Sequence, residues 1–179
     1  MTLTRRLKLT IPFVALFLLL SLLWHELYSA PRSYSSSMTG ETVPNFDLPN
    51  LFSSDHSFTP KNFHGHAVLL NVWASWCSAC KYEHAMLMRL KNEYHVPIYG
   101  ILYRDNASDA IDWLHRKGNP YVIVGNDANG DASVDLGIYG TPETFVVSPK
   151  GKIIYRHVGV ITQRLWDDTI QPLLKKYED

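Results

Sequence analysis

AVLLNVWASWCSAC, residues 67–80, is the stretch on which the fold turns. Ala67 to Ala74 is almost continuously apolar, the pattern of a central strand covered on both faces. An amphipathic pattern then starts at Cys77 and runs through Ala85, Met86, Met88, Leu90 and Tyr94, as a helix requires. Cys77 and Cys80 are the chain's two cysteines. They therefore sit where a strand ends and a helix begins. Free N–H groups and aligned peptide dipoles stabilise a thiolate at such a helix start and lower its pKa. Cys77, at the start, is expected to be exposed and to attack. Cys80, one turn on, is expected to be more buried and to resolve the mixed disulfide.

Outward from this corner the signals alternate. Asn45–Phe52 reads as a short strand, Pro97–Tyr103 as a second long one, and Tyr121–Val124 as a further short one. Ser108 is placed to cap a helix carrying Ile111, Trp113 and Leu114 that stops at Gly118. Thr144–Val147 and Ile153–Val158 are strands joined by a turn at residues 148–151. Thr162 caps a last helix through Leu165, Trp166, Ile170, Leu173 and Leu174. Asp127–Asp131 is a fragment of a calcium loop without the loop's acidic spacing or terminal Glu, and Asn129-Gly130 within it reads as a turn. No internal repeat or phosphate-cradling glycine loop is present. The class is α/β, with residues 45–179 as one domain.

Composition narrows the function. Lys and Arg number 17, as do Asp and Glu, which excludes a domain built to grip nucleic-acid phosphates. Leu9–Trp24 is an uncharged run preceded by Arg5, Arg6 and Lys8. A cleaved signal peptide and an uncleaved anchor compete for it. The residues around Ala30 suit cleavage poorly, with Tyr28 or Leu27 at −3, so residues 1–29 are expected to be a cytoplasmic stub and a single transmembrane helix. Residues 30–44, rich in Ser, are expected to be a flexible linker. With Arg5, Arg6, Lys8 and Glu26 set aside, 14 basic and 16 acidic residues remain, too even a balance to imply a polyionic partner.

Three other uses of the cysteines compete with catalysis. Structural cysteines packed as small hydrophobes would not stay inert in an oxidising compartment. A permanent disulfide would close too short a loop to restrict the unfolded chain much. Cys77, Cys80 and His84 share a helix face and are ligand-like for copper or zinc, but no fourth ligand is visible.

The residues quoted above, with GIYGTPETF (137–145) and KIIYRHVG (152–159), resemble the CcmG/DsbE family: membrane-anchored, thioredoxin-like thiol:disulfide oxidoreductases of cytochrome c maturation. The resemblance covers Asn45 to Tyr177. It implies a thioredoxin-like fold with a central mixed sheet, flanking helices and an added N-terminal strand pair. It implies a periplasmic reductant held at the inner membrane that reduces the haem-binding cysteines of apocytochrome c. Its partners would be apocytochrome c or maturation proteins, and a membrane thiol donor of the DsbD/CcdA type. The cofactor would be none beyond a Cys77–Cys80 disulfide, with no metal. Pro142 matches the family's cis-proline beside Cys77, and the backbone of Thr141 would pair with an extended substrate. Glu83 and Glu143 match acidic active-site positions; on residues alone, Glu83 reads as a solvated helix charge. Trp76 and Tyr139 would border the substrate groove, with Trp73 in the core. The resemblance departs at Asn71, where general thioredoxins carry a buried Asp, so proton handling would pass to Glu83, Glu143 or water. Ser78-Ala79 stands where many members have Pro. A thiol reductase of broader range, or a copper- or haem-handling module using the Cys-x-x-Cys, are the alternatives.

Overall fold

The computed structural model describes residues 3–28, 38–53, 55–63 and 65–177, with residues 3–10 and 25–28 described by backbone alone. The chain divides into two units, 1–35 and 36–179. The first holds one helix, α1 (Leu3–Tyr28), with Pro12 inside it. Among the described residues no helix is long and apolar enough to cross a membrane. This corrects the expected transmembrane helix. The uncharged run covers 16 residues. At ~1.5 Å per residue that is ~24 Å, short of a ~30 Å hydrocarbon core. Extending it takes in Lys8 and the two arginines on one side, or His25 and Glu26 on the other. Residues 29–37, most of the expected linker and the rival cleavage position, lie outside the described residues. From Met38 the chain joins the second unit: Gly40 N–H bonds Ile153 O, Val43 N–H bonds Gly151 O, and Thr42 bridges Lys152.

The second unit is built on β3 (Val68–Trp73), all six residues of which are buried. β4 (Ile98–Tyr103) runs parallel to it on one side and β5 (Val124–Asp127) parallel beyond that. β6 (Glu143–Val147) is antiparallel on its other side, and β7 (Ile153–Val158) closes the sheet in the order β5-β4-β3-β6-β7. A strand flanked on both edges and covered on both faces has no use for alternation, hence the apolar run. β1 (Leu48–Pro49), inside the expected strand Asn45–Phe52, and β2 (Ser57–Phe58), which no local sequence signal marked, form an antiparallel pair, the added N-terminal strand pair. Asn50 bridges Gly125 at the β5 edge. The close approach at Gly125 favours glycine, since a Cβ there would lie 2.7 Å from Phe58 and 2.9 Å from Leu48 and one of them would have to shift.

Each face of the sheet has its own core. Leu69, Trp73, Ile98, Leu102 and Val146 pack with Leu87 and Leu90 of α2 (Ser78–Asn92), with Ala110 and Leu114 of α3 (Ala107–Lys117), and with Trp166, Ile170 and Leu174. Val68, Leu70, Val72, Phe145 and Val147 pack with Phe58, Phe63, Leu136 and Ile138. The alternation of β3 thus sends Leu69, Asn71 and Trp73 to the α2 face.

Two boundaries differ from the sequence reading, and one short helix follows the expected turn at Asn129-Gly130. Asn106, not Ser108, caps α3: its Oδ1 accepts from Ser108 N–H at 2.9 Å. β5 begins at Val124, where the expected strand ends. Residues 127–131 lead into a short helix, α4 (Asp131–Asp135), because buried Asp127 accepts from Ala132 N–H, Ser133 N–H and Ser133 Oγ–H. Thr162 does cap the last segment, with Leu165 N–H donating to its Oγ1 at 3.2 Å. That segment is α5 (Gln163–Leu165), a π-helical turn (Trp166–Ile170) and α6 (Gln171–Lys175). Pro172 has no N–H to continue an α-helical ladder, and the widened turn just before it absorbs the mismatch.

Candidate active site

Cys77 is the N-cap of α2 and is disulfide-bonded to Cys80. The Cys80 N–H donates to Cys77 Sγ at 3.0 Å. One of the free donors of the helix start is therefore aimed at the sulfur that must carry negative charge on reduction. Both residues are buried, at 5% and 4% exposure. This corrects the expectation that Cys77 is exposed, while Cys80 is buried as expected; what separates the two is the helix start, not exposure.

The corner is held from behind. Asp105 accepts from Ser75 N–H and Ser75 Oγ–H, and Trp76 Nε1–H donates to Arg104 O at 3.2 Å. Trp76 is 56% exposed beside Cys77. Across from it, the Thr141–Pro142 bond is cis and Thr141 O lies 3.5 Å from Cys77 Sγ. Pro142 is buried, and Tyr139, two residues before Thr141, is 94% exposed. Cys77 and Thr141 are thus brought together, and each has an exposed aromatic residue close by in sequence, Trp76 and Tyr139. Trp73 lies in the core, stacked on Tyr121.

The two carboxylates part company. Glu83 is one turn beyond Cys80 on the same helix face and only 1% exposed. Its Oε1 accepts from Ile161 N–H at 2.7 Å and its Oε2 from Asn71 Nδ2–H at 3.2 Å. Burial pushes its pKa up to about 7, outweighing those two bonds, which favour the ionised form. The reading of Glu83 as a solvated charge is thereby excluded. Asn71 is held in turn: Tyr121 O–H donates to its Oδ1 at 2.9 Å, and its Nδ2–H donates to Thr144 Oγ1 at 2.9 Å. Burial and the Glu83 charge both raise the Tyr121 pKa, which keeps that phenol a donor.

Glu143 faces the other way. It neighbours Thr144 on β6, and Thr144 points at Asn71 on the α2 face, so strand alternation turns Glu143 to the opposite face. There it pairs with Arg156 at 2.6 Å, and Tyr139 N–H donates to it at 3.3 Å. Of the alternatives Glu83, Glu143 and water for proton handling at the dithiol, Glu143 is therefore engaged elsewhere. His84, the third candidate ligand, is committed elsewhere: its Nε2 lies 3.1 Å from Lys117 O and its ring meets Trp113 edge-on at 4.3 Å. Burial lowers its pKa. Among the described residues no group of three or more His, Cys, Asp or Glu is placed to hold a metal ion.

Sequence reasoning missed Tyr121, Thr144 and Ile161 as members of the site. The one usable signal was the polar Asn71 inside an apolar strand, since a buried amide must find partners.

A family model described as Redoxin matches residues 38–170. The thiol:disulfide interchange protein DsbE of Tatumella citrea is 43% identical, covering 94% of each chain. That of Vibrio cholerae is 40% identical, again over 94% of each. A thiol-disulfide oxidoreductase structure from Bacteroides fragilis, 24% identical, superposes with a TM-score of 0.64 over 75% of this chain and all of that one. The last likeness shows the fold alone, which is thioredoxin-like.

Proposed function

The chain belongs to the DsbE family of thiol:disulfide interchange proteins, and we propose that it is the reductant that keeps the haem-binding thiols of apocytochrome c reduced. It is a thiol:disulfide oxidoreductase whose redox group is the Cys77–Cys80 pair, with no other cofactor. The proposed site of action is the periplasm, an oxidising compartment in which free haem-binding thiols need a dedicated reductant. The proposed source of electrons is a membrane thiol relay of the DsbD/CcdA type.

The helix start at Cys77 and the buried carboxyl of Glu83 support the following chemistry. The Cys77 thiolate, stabilised by the Cys80 N–H, attacks one sulfur of the substrate disulfide. The substrate S–S bond breaks, a Cys77–substrate bond forms, and the departing sulfur takes a proton. Cys80 then gives up its proton and attacks Cys77 Sγ. Glu83, three residues on and titrating near neutrality, is the group to receive that proton, directly or through one water. The second substrate thiol leaves. Two electrons have passed to the substrate, and the Cys77–Cys80 disulfide waits for the donor.

The observation that supports a narrow substrate range is the enclosed dithiol. Cys77, 5% exposed as a residue and with Thr141 O 3.5 Å from its sulfur, favours a segment that lies against that loop, and the neighbouring Trp76 and Tyr139 side chains are open to a partner. A peptide with an oxidised Cys-x-x-Cys-His tests it. The reduced full chain should reduce that peptide about tenfold faster than a scrambled disulfide peptide of equal potential. Equal rates support the broader-range reductase instead.

A further inference from the structure

We propose that Arg156 is a positioning residue for the loop that faces the substrate, tying its two ends so that Thr141 is held against Cys77. The loop runs from the end of α4 to the start of β6, residues 136–142. Arg156 sits on β7 opposite Phe145, with its guanidinium over that ring at 5.5 Å. Its Nε–H donates to Glu143 Oε2 at 2.7 Å, at the far end of the loop. Its Nη2–H donates to Gly137 O at 2.7 Å, at the near end. Glu143 Oε1 meanwhile accepts from Tyr139 N–H in the middle. Gly159 N–H donates to Pro142 O at 2.9 Å from the same β7 side. One ion pair, nearly buried on both partners, therefore reaches the start, the middle and the end of the segment that carries Tyr139 and Thr141.

Arginine suits this task in a way lysine does not, because a planar fork serves a carboxylate and a carbonyl at once. The arrangement also gives Glu143 a role away from the dithiol: its charge is spent on Arg156 on the sheet face opposite Asn71 and Glu83. The inference needs only disulfide exchange at Cys77 and does not depend on which protein supplies the disulfide.

The test separates docking from sulfur chemistry. Arg156→Lys and Arg156→Met are made in the full chain. Each reduced protein is reacted with two probes: a small aromatic disulfide that needs no loop, and an extended peptide with one internal disulfide. Arg156→Met is expected to slow the peptide about tenfold or more, since a misplacement of ~1 Å can cost up to ~100-fold. The small disulfide should change less than twofold, and the pH midpoint of Cys77 alkylation should not move. Arg156→Lys should fall between. In an Arg156→Met/Glu143→Gln double variant, the peptide rate should drop no further than in the worse single one, as expected of two residues acting as a unit. Equal slowing of both probes, a moved alkylation midpoint, or an unchanged peptide rate overturns the proposal. If Arg156→Met fails to fold by circular dichroism, Arg156→Lys carries the same comparison.

Discussion

Replacing Glu83 by Gln should remove a pH dependence from the stability of the oxidised protein. In the folded chain the Glu83 carboxyl titrates near 7, against an ordinary 4.5, because it is buried. The folded state therefore holds a proton between those values that the unfolded state has lost. Stability contributed by this group is complete below about pH 4.5, declines as pH rises, and is gone above about 7. At ~1.4 kcal/mol per pH unit, the gap corresponds to ~3 kcal/mol. The assay is urea denaturation of oxidised wild type and Glu83→Gln across that range. Other titrating groups are shared, so the difference between the two curves isolates Glu83. Wild type should lose ~3 kcal/mol relative to the variant between acid and neutral pH. Glutamine keeps an acceptor for Ile161 N–H but turns an N–H toward Asn71 Nδ2–H, so the variant should also carry a constant penalty of ~1–3 kcal/mol. Parallel curves, or a wild type that gains on the variant as pH rises, would contradict a raised Glu83 pKa, and with it the case for Glu83 as the proton acceptor of Cys80.

Tyr121→Phe should destabilise the oxidised protein by ~1–3 kcal/mol at pH 7, because Asn71 Oδ1 is left buried without its donor; a shift under 0.3 kcal/mol by urea midpoint counts against the network. Gly125→Ala should cost ~1–3 kcal/mol, since the new methyl must displace Phe58 or Leu48 and loosen the strand pair from β5; a neutral midpoint would show that the pair yields freely.

What was legible in the chain depended on how local its cause was. The continuous apolar run announced β3, and the Cys-x-x-Cys after it announced the helix start, because both follow from neighbouring residues. The hairpin of β6 and β7 was equally plain, its turn closed by Gly151 N–H to Ser148 O. β5 was placed too early because Gly125, Asn126 and Asp127 look like a turn; pairing with β4 overrides that propensity. α4 is five residues long, too short for periodicity, and rests on a cap from Asp127 that only the fold supplies. The apolar N-terminal run read as membrane-spanning from the absence of charge, yet length decides such a span, and 16 residues fall short. At the site, resemblance picked out Glu83 and Glu143 alike. Strand alternation around Thr144 separates them, one bonded to Asn71 a helical turn beyond Cys80 and one clasped by Arg156. The partners of Asn71 lie 12, 50 and 73 residues away, a distance no local pattern spans.

The most direct test of the account is a trap. Cys80→Ala and Cys77→Ala are expressed in the full chain in its own cell, and disulfide-linked adducts are identified by non-reducing gel and mass spectrometry. With Cys80 gone, Cys77 should hold apocytochromes c or their maturation partners, while the Cys77→Ala chain holds none of them. Adducts on Cys77→Ala instead would reverse the roles of the two sulfurs. A broad collection of unrelated exported proteins on Cys80→Ala would contradict the dedicated reductant.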